Sequence, residues 1–347
     1  MRIEDFDFDL PAELIAQRPL ARRDDSRMMI VEIKSGRISH RVFRDFPNLL
    51  GGEEILVLND AKVIPAKAWG KRRGATIEFL FLKEIEPGLW EVLCKPARRV
   101  RPGDEIVFSD DLRGEAALPA SSGSDEGRRI LRFGVPDVLG RLKRIGFAPL
   151  PPYIKRAKAD PAAREIDLER YQTVFAANEG AIAAPTAGLH FTPEILDRVR
   201  SKGAATARVT LHVGLATFQP MRVDRIEDHR MLEESYDVPE PAAAAVNRTK
   251  TDGRPVLAVG TTVVRTLESA GRSGRVQPGP GATSLFITPG FEFRIVDRLL
   301  TNFHLPRSTL LLLVSALVGR DLIFQAYREA VRERYRFFSY GDCMLIL

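Results

Sequence analysis

The chain has 347 residues, 44% of them apolar, 28% charged and 8% aromatic, proportions that exclude a disordered, fibrous or multi-span membrane protein. Lys and Arg number 52 against 46 Asp and Glu, and the resulting +6 charge favours an anionic partner without naming it. The two cysteines, Cys94 and Cys343, lie far apart and suggest neither a disulfide framework nor a zinc ribbon, so a reducing compartment is expected.

At this length two domains are the expectation. The start, MRIEDFDFDL, lacks the apolar core of a signal peptide, and a cytoplasmic protein is expected. A short helix near Ala12–Gln17 is followed by a basic, polar turn from Arg18 to Arg27 and a strand over Met28–Ile33. The apolar run Glu54–Leu58 reads as a buried strand ending at Asn59-Asp60. A carboxylate at the carboxyl end of such a strand is a candidate site residue, and equally a turn former.

From about Ala66 the texture changes. Ala75–Lys83, Leu89–Lys95, Glu105–Phe108, Leu112–Leu118 and Arg129–Phe133 are short strand-like runs separated by Pro, Gly and Ser turns. They predict a small antiparallel barrel over residues 66–149, inserted into an α/β domain made of residues 1–65 and 150–347. Between Val138 and Ala159 the charged residues are basic, among them Lys155 and Arg156, with Tyr153 beside them. Such a linker either tracks a phosphate backbone or is a solvated hinge.

The stretch Ala183–Pro220 reads as loop, helix, strand, loop. Thr192 is the N-cap candidate with Pro193 behind it, and Gly203 stops the helix. Val209, Leu211 and Val213 then alternate with Thr210, His212 and Gly214. His190 precedes the helix and His212 sits late on the strand; around them Thr186, Gly188, Gly214 and Thr217 would let a ligand approach the backbone. Either histidine alone reads equally as an ordinary residue beside glycine turns.

The strand Val256–Val259 runs into Gly260-Thr261-Thr262 and a helix to about Ala270. Free N–H groups at that helix start, with Arg265 nearby, make an anion site the expectation. Phe286–Pro289, Phe293–Val296 and Leu299–His304 read as further strands, the last presenting Asn302 and His304 on one face. The Leu-rich helix after Ser308 has about half of the roughly 20 residues a membrane span requires and is expected to be buried. On a final helix, Asp321–Arg334, Arg328 and Arg332 share a face with Arg336 beyond it, a solvated surface or a ridge for phosphates.

Several segments together are distinctive: Arg18–Arg27 (RPLARRDDSR), Asn59–Ala66 (NDAKVIPA), Pro151–Ile154 (PPYI), Glu169–Phe175 (ERYQTVF), Ala183–Phe191 (AAPTAGLHF), Gly260–Glu268 (GTTVVRTLE), Asp297–Leu312 (DRLLTNFHLPRSTLLL) and Ser339–Ile346 (SYGDCMLI). With them the chain resembles the S-adenosylmethionine:tRNA ribosyltransferase-isomerase family of queuosine biosynthesis, almost end to end and most weakly over Ala75–Gly146. The family usually reads HVGxGTF where this chain has Ala216 in place of the second glycine, and Thr288 stands where an aromatic is common.

The resemblance implies an α/β domain with an inserted β-barrel. It also implies transfer of the ribosyl part of S-adenosylmethionine to 7-aminomethyl-7-deazaguanine at the wobble position of a tRNA. Adenine and methionine leave, the product is epoxyqueuosine, and no metal or permanently bound cofactor is needed; S-adenosylmethionine is a co-substrate.

Such chemistry asks for groups that move protons near neutral pH, and His190, His212, His304 and Asp60 are the candidates, with base and acid unassigned. Thr186, Gly188, Gly214, Thr217, Gly260, Thr261, Thr262, Arg265 and Asn302 are the expected substrate contacts. Lys155, Arg156, Arg328 and Arg332 are the expected tRNA contacts, and a monomer is the expected assembly. The rival readings are a metal hydrolase with His190, His212 and His304 as ligands, and a non-catalytic RNA-binding protein. The first lacks the close ligand spacing of such sites, and the second leaves the Gly/Thr/His constellation unexplained.

Overall fold

The computed structural model describes residues 1–117, 127–157, 160–214, 221 and 223–347. Its strands and helices follow in this order: β1 (Arg27–Val31), β2 (Ile38–Val42), β3 (Ile55–Asn59) and β4 (Ala61–Val63); then β5 (Lys67–Arg72), β6 (Ala75–Glu86), β7 (Leu89–Lys95), β8 (Glu105–Ser109), β9 (Leu112–Ala117) and β10 (Arg128–Phe133). Next come α1 (Val138–Ile145), α2 (Pro161–Arg170), β11 (Asn178–Ala181), α3 (Pro193–Ser201), β12 (Ala205–Leu211), β13 (Glu234–Val238), α4 (Glu240–Thr251), β14 (Val256–Val259) and α5 (Thr261–Ala270). The chain closes with β15 (Gly279–Thr283), β16 (Arg298–Asn302), α6 (Thr309–Val318), α7 (Arg320–Arg332) and β17 (Cys343–Ile346).

A nine-stranded sheet, ordered β15-β13-β12-β3-β14-β16-β17-β1-β2, carries the α/β part. Its centre is parallel: β3 pairs with β12 on one side and β14 on the other, and β14 pairs with β16. Strand alternation decides what each face buries. Ile55 and Val57 of β3 point into a core shared with α4, α5, α6 and α7. Leu56 and Leu58 point to the other side, against Phe43, Phe46 and α3. Being buried on both faces is why β3 reads as a continuous apolar run rather than an alternating one.

The second unit is a closed antiparallel barrel, β10-β7-β6-β5-β8-β9, packed around Ile77, Phe79, Phe81, Trp90 and Leu131. The protein is therefore an α/β fold with an inserted β-barrel. Five of the six barrel strands lie where the sequence suggested; β5, KAWGKR, hides among charges at both ends.

Caps behave as their residue types dictate. Thr192 Oγ1 accepts from Ile195 N at 3.3 Å to start α3, and Ser308 Oγ accepts from Leu311 N at 3.2 Å to start α6. Among the described residues no single helix is long and apolar enough to cross a membrane, and α6 and α7 meet at a 118° bend at Gly319.

The strands expected at Phe286–Pro289 and Phe293–Val296 are irregular segments instead. The second of them is held by a side chain rather than a ladder. The buried carboxylate of Glu268 on α5 accepts from the backbone N–H groups of Arg294, Ile295 and Val296 at 2.9–3.1 Å. Those donors then have no call on a neighbouring strand. Glu268→Ala should lower unfolding free energy by about 2–4 kcal/mol in urea, because it strands buried donors, whereas Glu268→Gln, which keeps an acceptor, should cost less.

Candidate functional site

The carboxyl ends of β14 and β16 open into a pocket, the place where parallel sheets hold ligands. Its wall is built from Ala183–Ala187, from Gly260–Thr262 at the start of α5, and from Thr301–Leu310; Tyr153, Phe338 and Ser339 close one side. Gly260 sits at φ +95° at the N-cap of α5, a conformation that L side chains rarely adopt, so glycine is required to aim the first turn of α5 at the pocket. Asn59, the last residue of β3, holds that turn in place. Its Nδ2 donates to Thr262 Oγ1 at 3.2 Å and to Leu211 O at 3.0 Å, and its Oδ1 accepts from Leu211 N and Ala61 N at 3.1 Å.

Of the expected contacts, Thr186, Gly260, Thr261, Thr262, Asn302 and His304 meet in this pocket. The pocket also recruits residues the sequence does not place in a substrate site. Tyr153 and Ser339, distant in the chain, are joined by a 2.7 Å hydrogen bond, and the Tyr153 ring lies 4.7 Å from that of Phe338. In the sequence Tyr153 is marked only as the aromatic beside the basic linker and in the PPYI motif, and Ser339 only by the SYGDC motif.

The other candidates lie elsewhere. Thr217 falls outside the described residues, as does Ala216. Gly188 packs under Phe175 and Thr173, where a Cβ would meet either at 2.8 Å. Gly214 donates its N–H to Glu234 Oε1 at 2.9 Å. Arg265, expected as an exposed anion binder, is buried and is corrected to a structural role: it is ion-paired with Glu234, also buried, and donates to Leu285 O and Thr283 O. The anion site misjudged depth, because the fifth helical residue points back under the sheet rather than toward the helix start.

The three histidines diverge. His190 is buried between Ser26 Oγ at 2.7 Å from Nδ1 and Asn302 Nδ2 at 3.3 Å from Nε2. An amide nitrogen only donates, so Nε2 accepts and Nδ1 carries the proton. Burial, with lesser repulsion from Arg23 and Arg336, pushes this imidazole down to about 4. Burial holds it neutral at pH 7 with both nitrogens engaged, one of them accepting from Asn302.

His304 lines the pocket, but Thr301 Oγ1 holds its Nε2 at 2.9 Å and burial pushes it down to about 3. His212 follows β12 and faces Gly180, away from Val213, which lines the pocket. Its ring is only half-buried, but its Nδ1 is a buried atom with no hydrogen-bond partner among the described residues. Burial lowers its pKa and the nearby Asp60 opposes the shift. Asp60 itself is buried, accepting from Thr210 Oγ1 at 2.7 Å and Asn178 Nδ2 at 3.1 Å. His190, His212 and His304 form no ligand set, and no group of three or more His, Cys, Asp or Glu side chains converges among the described residues.

The basic candidates also part company. Arg156 is held in a two-point ion pair with Asp167 at 2.7 and 2.9 Å and donates to Gln17 O, so it pins the linker to α2 and its charge is already matched. Lys155 and Arg328 are exposed, and Arg332 is exposed beside Glu329 and Glu333. Arg336 leaves their row: it is half-buried and donates to Arg18 O.

A mixed sheet with a parallel centre, a pocket at its strand ends and a barrel inserted in the chain define an α/β enzyme built around a small-molecule site. Comparison with known proteins narrows the class. A family model described as queuosine biosynthesis protein matches residues 3–346. The S-adenosylmethionine:tRNA ribosyltransferase-isomerase of Symbiobacterium thermophilum is 51% identical over 352 residues, and that of Thermotoga maritima 48% over 348, each alignment spanning all of both chains. The crystal structure of S-adenosylmethionine tRNA ribosyltransferase from Thermotoga maritima superposes with a TM-score of 0.55 and 40% identity, covering 99% of this chain and all of that one. The chain belongs to the queuosine biosynthesis protein family.

Two outcomes follow from the buried groups. Arg265→Ala should destabilise the protein by about 3–5 kcal/mol in urea denaturation, because Glu234 is left buried without its counter-charge. His190 and His304 titrate lower in the folded chain than near 6.5, so the unfolded chain binds more protons as acidity rises. Stability should therefore fall from pH 6.5 toward pH 4, by up to about 2 kcal/mol per histidine at pH 5. Unfolding measured across this range should show a shallower pH dependence in His304→Gln.

Proposed function

We propose that this protein transfers the ribosyl part of S-adenosylmethionine to a tRNA and rearranges it, a step of queuosine biosynthesis. The acceptor is 7-aminomethyl-7-deazaguanine at the wobble position and the product epoxyqueuosine, with adenine and methionine released. The observation that carries this reading is the match to the family along the whole chain, with the family's motifs meeting at one pocket. The protein works in the cytoplasm, where its tRNA is.

The sulfonium of S-adenosylmethionine acidifies the adjacent C5′ hydrogens, the acceptor amine must be unprotonated to attack, and adenine leaves more readily when protonated. S-adenosylmethionine occupies the pocket at the ends of β14 and β16. There Thr186, Thr261, Thr262 and Asn302 supply neutral hydrogen-bonding groups, and His304 stays an uncharged partner. Proton transfer falls to His212 with Asp60 beside it, since that imidazole is the least buried of the three. Lys155, Arg328 and Arg332 approach the tRNA backbone from the exposed surface.

The deciding experiment gives the protein separately labelled donors and a tRNA carrying the precursor base, followed by nucleoside mass spectrometry. Ribose label should enter the tRNA, while methyl label leaves in methionine and purine label in adenine; methyl label in the tRNA would overturn the assignment. His212→Asn should lower turnover of the bound complex by roughly 10²–10⁴-fold with little change in binding. Normal turnover in that variant would pass the proton transfers to the substrates themselves.

A further inference from the structure

The basic turn Arg18–Arg27 lies outside the pocket assigned to S-adenosylmethionine, and it borders a second, smaller cavity lined by Arg22, Arg23 and Arg170, with Ser26, His190 and Ser339 beneath them. Resting on the reading that the protein acts on tRNA, we propose that this cavity is an anion subsite that takes one phosphodiester of the RNA backbone.

Arg23 and Arg170 clasp each other's segments. Arg23 donates to Glu169 O at 3.0 Å and Arg170 O at 3.5 Å at the carboxyl end of α2, and to Leu189 O at 3.3 Å in the turn before α3. Arg170 donates back to Leu20 O at 2.7 Å and Ala21 O at 3.2 Å. Carbonyl oxygens satisfy hydrogen bonds but leave the charge unmatched. Neither guanidinium forms an ion pair with a carboxylate among the described residues, and Arg170 Nε is buried with no acceptor.

Asp24 pairs with Arg22 at the rim of the cavity, Asp167 is committed to Arg156, and Asp342 accepts from the backbone N–H groups of Arg27 and Arg336; the exposed Glu169 acts on Arg23 through its charge without an ion pair among the described residues. Arg23 and Arg170 repel one another, and Arg23 and Arg336 together push the His190 imidazole toward its neutral form. The charges of Arg23 and Arg170 are thus concentrated and half-buried, with no ion-paired carboxylate among the described residues, a field that an external anion relieves.

The charge of the cavity selects between two sources of that anion. S-adenosylmethionine carries a sulfonium and an ammonium against one carboxylate, so three guanidiniums repel it as a whole. A phosphodiester is purely anionic and suits the forked donors of arginine. Position agrees. Ser339 lines both cavities, and His190 touches Ser26 on one side and Asn302 of the first pocket on the other. A strand gripped at Arg22, Arg23 and Arg170 would deliver its neighbouring nucleotide to the place where ribose is handed over.

The test titrates an unmodified tRNA transcript and, separately, S-adenosylmethionine into wild type, Arg22→Ala and Arg170→Lys, with thermal unfolding as the fold control. Arg22 is exposed and packs against little, so its variant decides the matter alone if Arg170→Lys fails to fold. In Arg22→Ala the loss of one charge-assisted contact should weaken RNA binding roughly tenfold or more and make the log–log salt slope shallower by about 0.7–0.9, whereas Arg170→Lys, which keeps the charge but loses the forked donors, should weaken RNA binding with the slope kept; S-adenosylmethionine affinity should be unchanged in both. A single methylphosphonate linkage in an anticodon stem-loop should weaken wild type by at least that factor and weaken Arg22→Ala by less, since only Arg23 and Arg170 remain to sense the lost charge. Weaker S-adenosylmethionine binding with an unchanged RNA slope would make the anion a carboxylate, and unchanged binding of both would make the arginines a structural clasp; either overturns the proposal. Failure of the functional reading itself is distinct, since wild type would then move no ribose to tRNA at all.

Discussion

The amide of Asn59 is the joint on which the site depends. β3 is the middle of the parallel sheet, and its last side chain reaches both ways, to Leu211 at the end of β12 and to Thr262 in the first turn of α5. One planar group with two donors and one oxygen therefore sets the spread of two strand ends and the direction of a helix start. A carboxylate in its place could not donate to Leu211 O, and a shorter side chain could not span the gap. The next residue continues the work: Asp60 turns the chain out of β3 while accepting from Thr210 and Asn178, tying β12 to β11.

Buried carboxylates do the corresponding work around the rest of the sheet. Glu54 accepts from the N–H groups of Gly51 and Gly52 and pairs with Arg298 at the opposite end of β3. Glu234 joins Arg265 to Gly214, and Glu268 holds the segment Arg294–Val296. In each case an acid replaces strand pairing where the backbone must be irregular, which lets loops converge on the strand ends without stranding their donors. Such an arrangement favours a rigid pocket wall over a mobile one.

Charge is partitioned across the site. The pocket at β14 and β16 is lined by hydroxyls, an amide, a neutral imidazole and one guanidinium, Arg307, already ion-paired with Asp7, whereas the cavity beyond His190 is lined by several guanidiniums. His190 sits on the boundary and is neutral, so it transmits hydrogen-bond order from Ser26 to Asn302 without adding charge to either side. A cationic small molecule and a polyanion can then be held next to each other without competing for the same groups.

The amino-acid sequence by itself determined the α/β architecture, the inserted barrel, the caps at Thr192 and Ser308 and the buried character of α6, because hydrophobic period, turn residues and N-caps are local properties. It also marked Gly260–Thr262, Thr186, Asn302 and His304, which lie at element ends where short-range signals are strong. Only the tertiary structure decided which side each candidate faces. Arg265 and Arg156 look like free cations in one dimension, and their partners Glu234 and Asp167 are 31 and 11 residues away. His190 and His304 look like proton carriers in one dimension, yet burial holds both imidazoles neutral. Tyr153 joins Ser339 across 186 residues, a contact with no local trace. Burial and pairing are properties of the packed chain, and they decide whether a titratable side chain is a reagent or a strut.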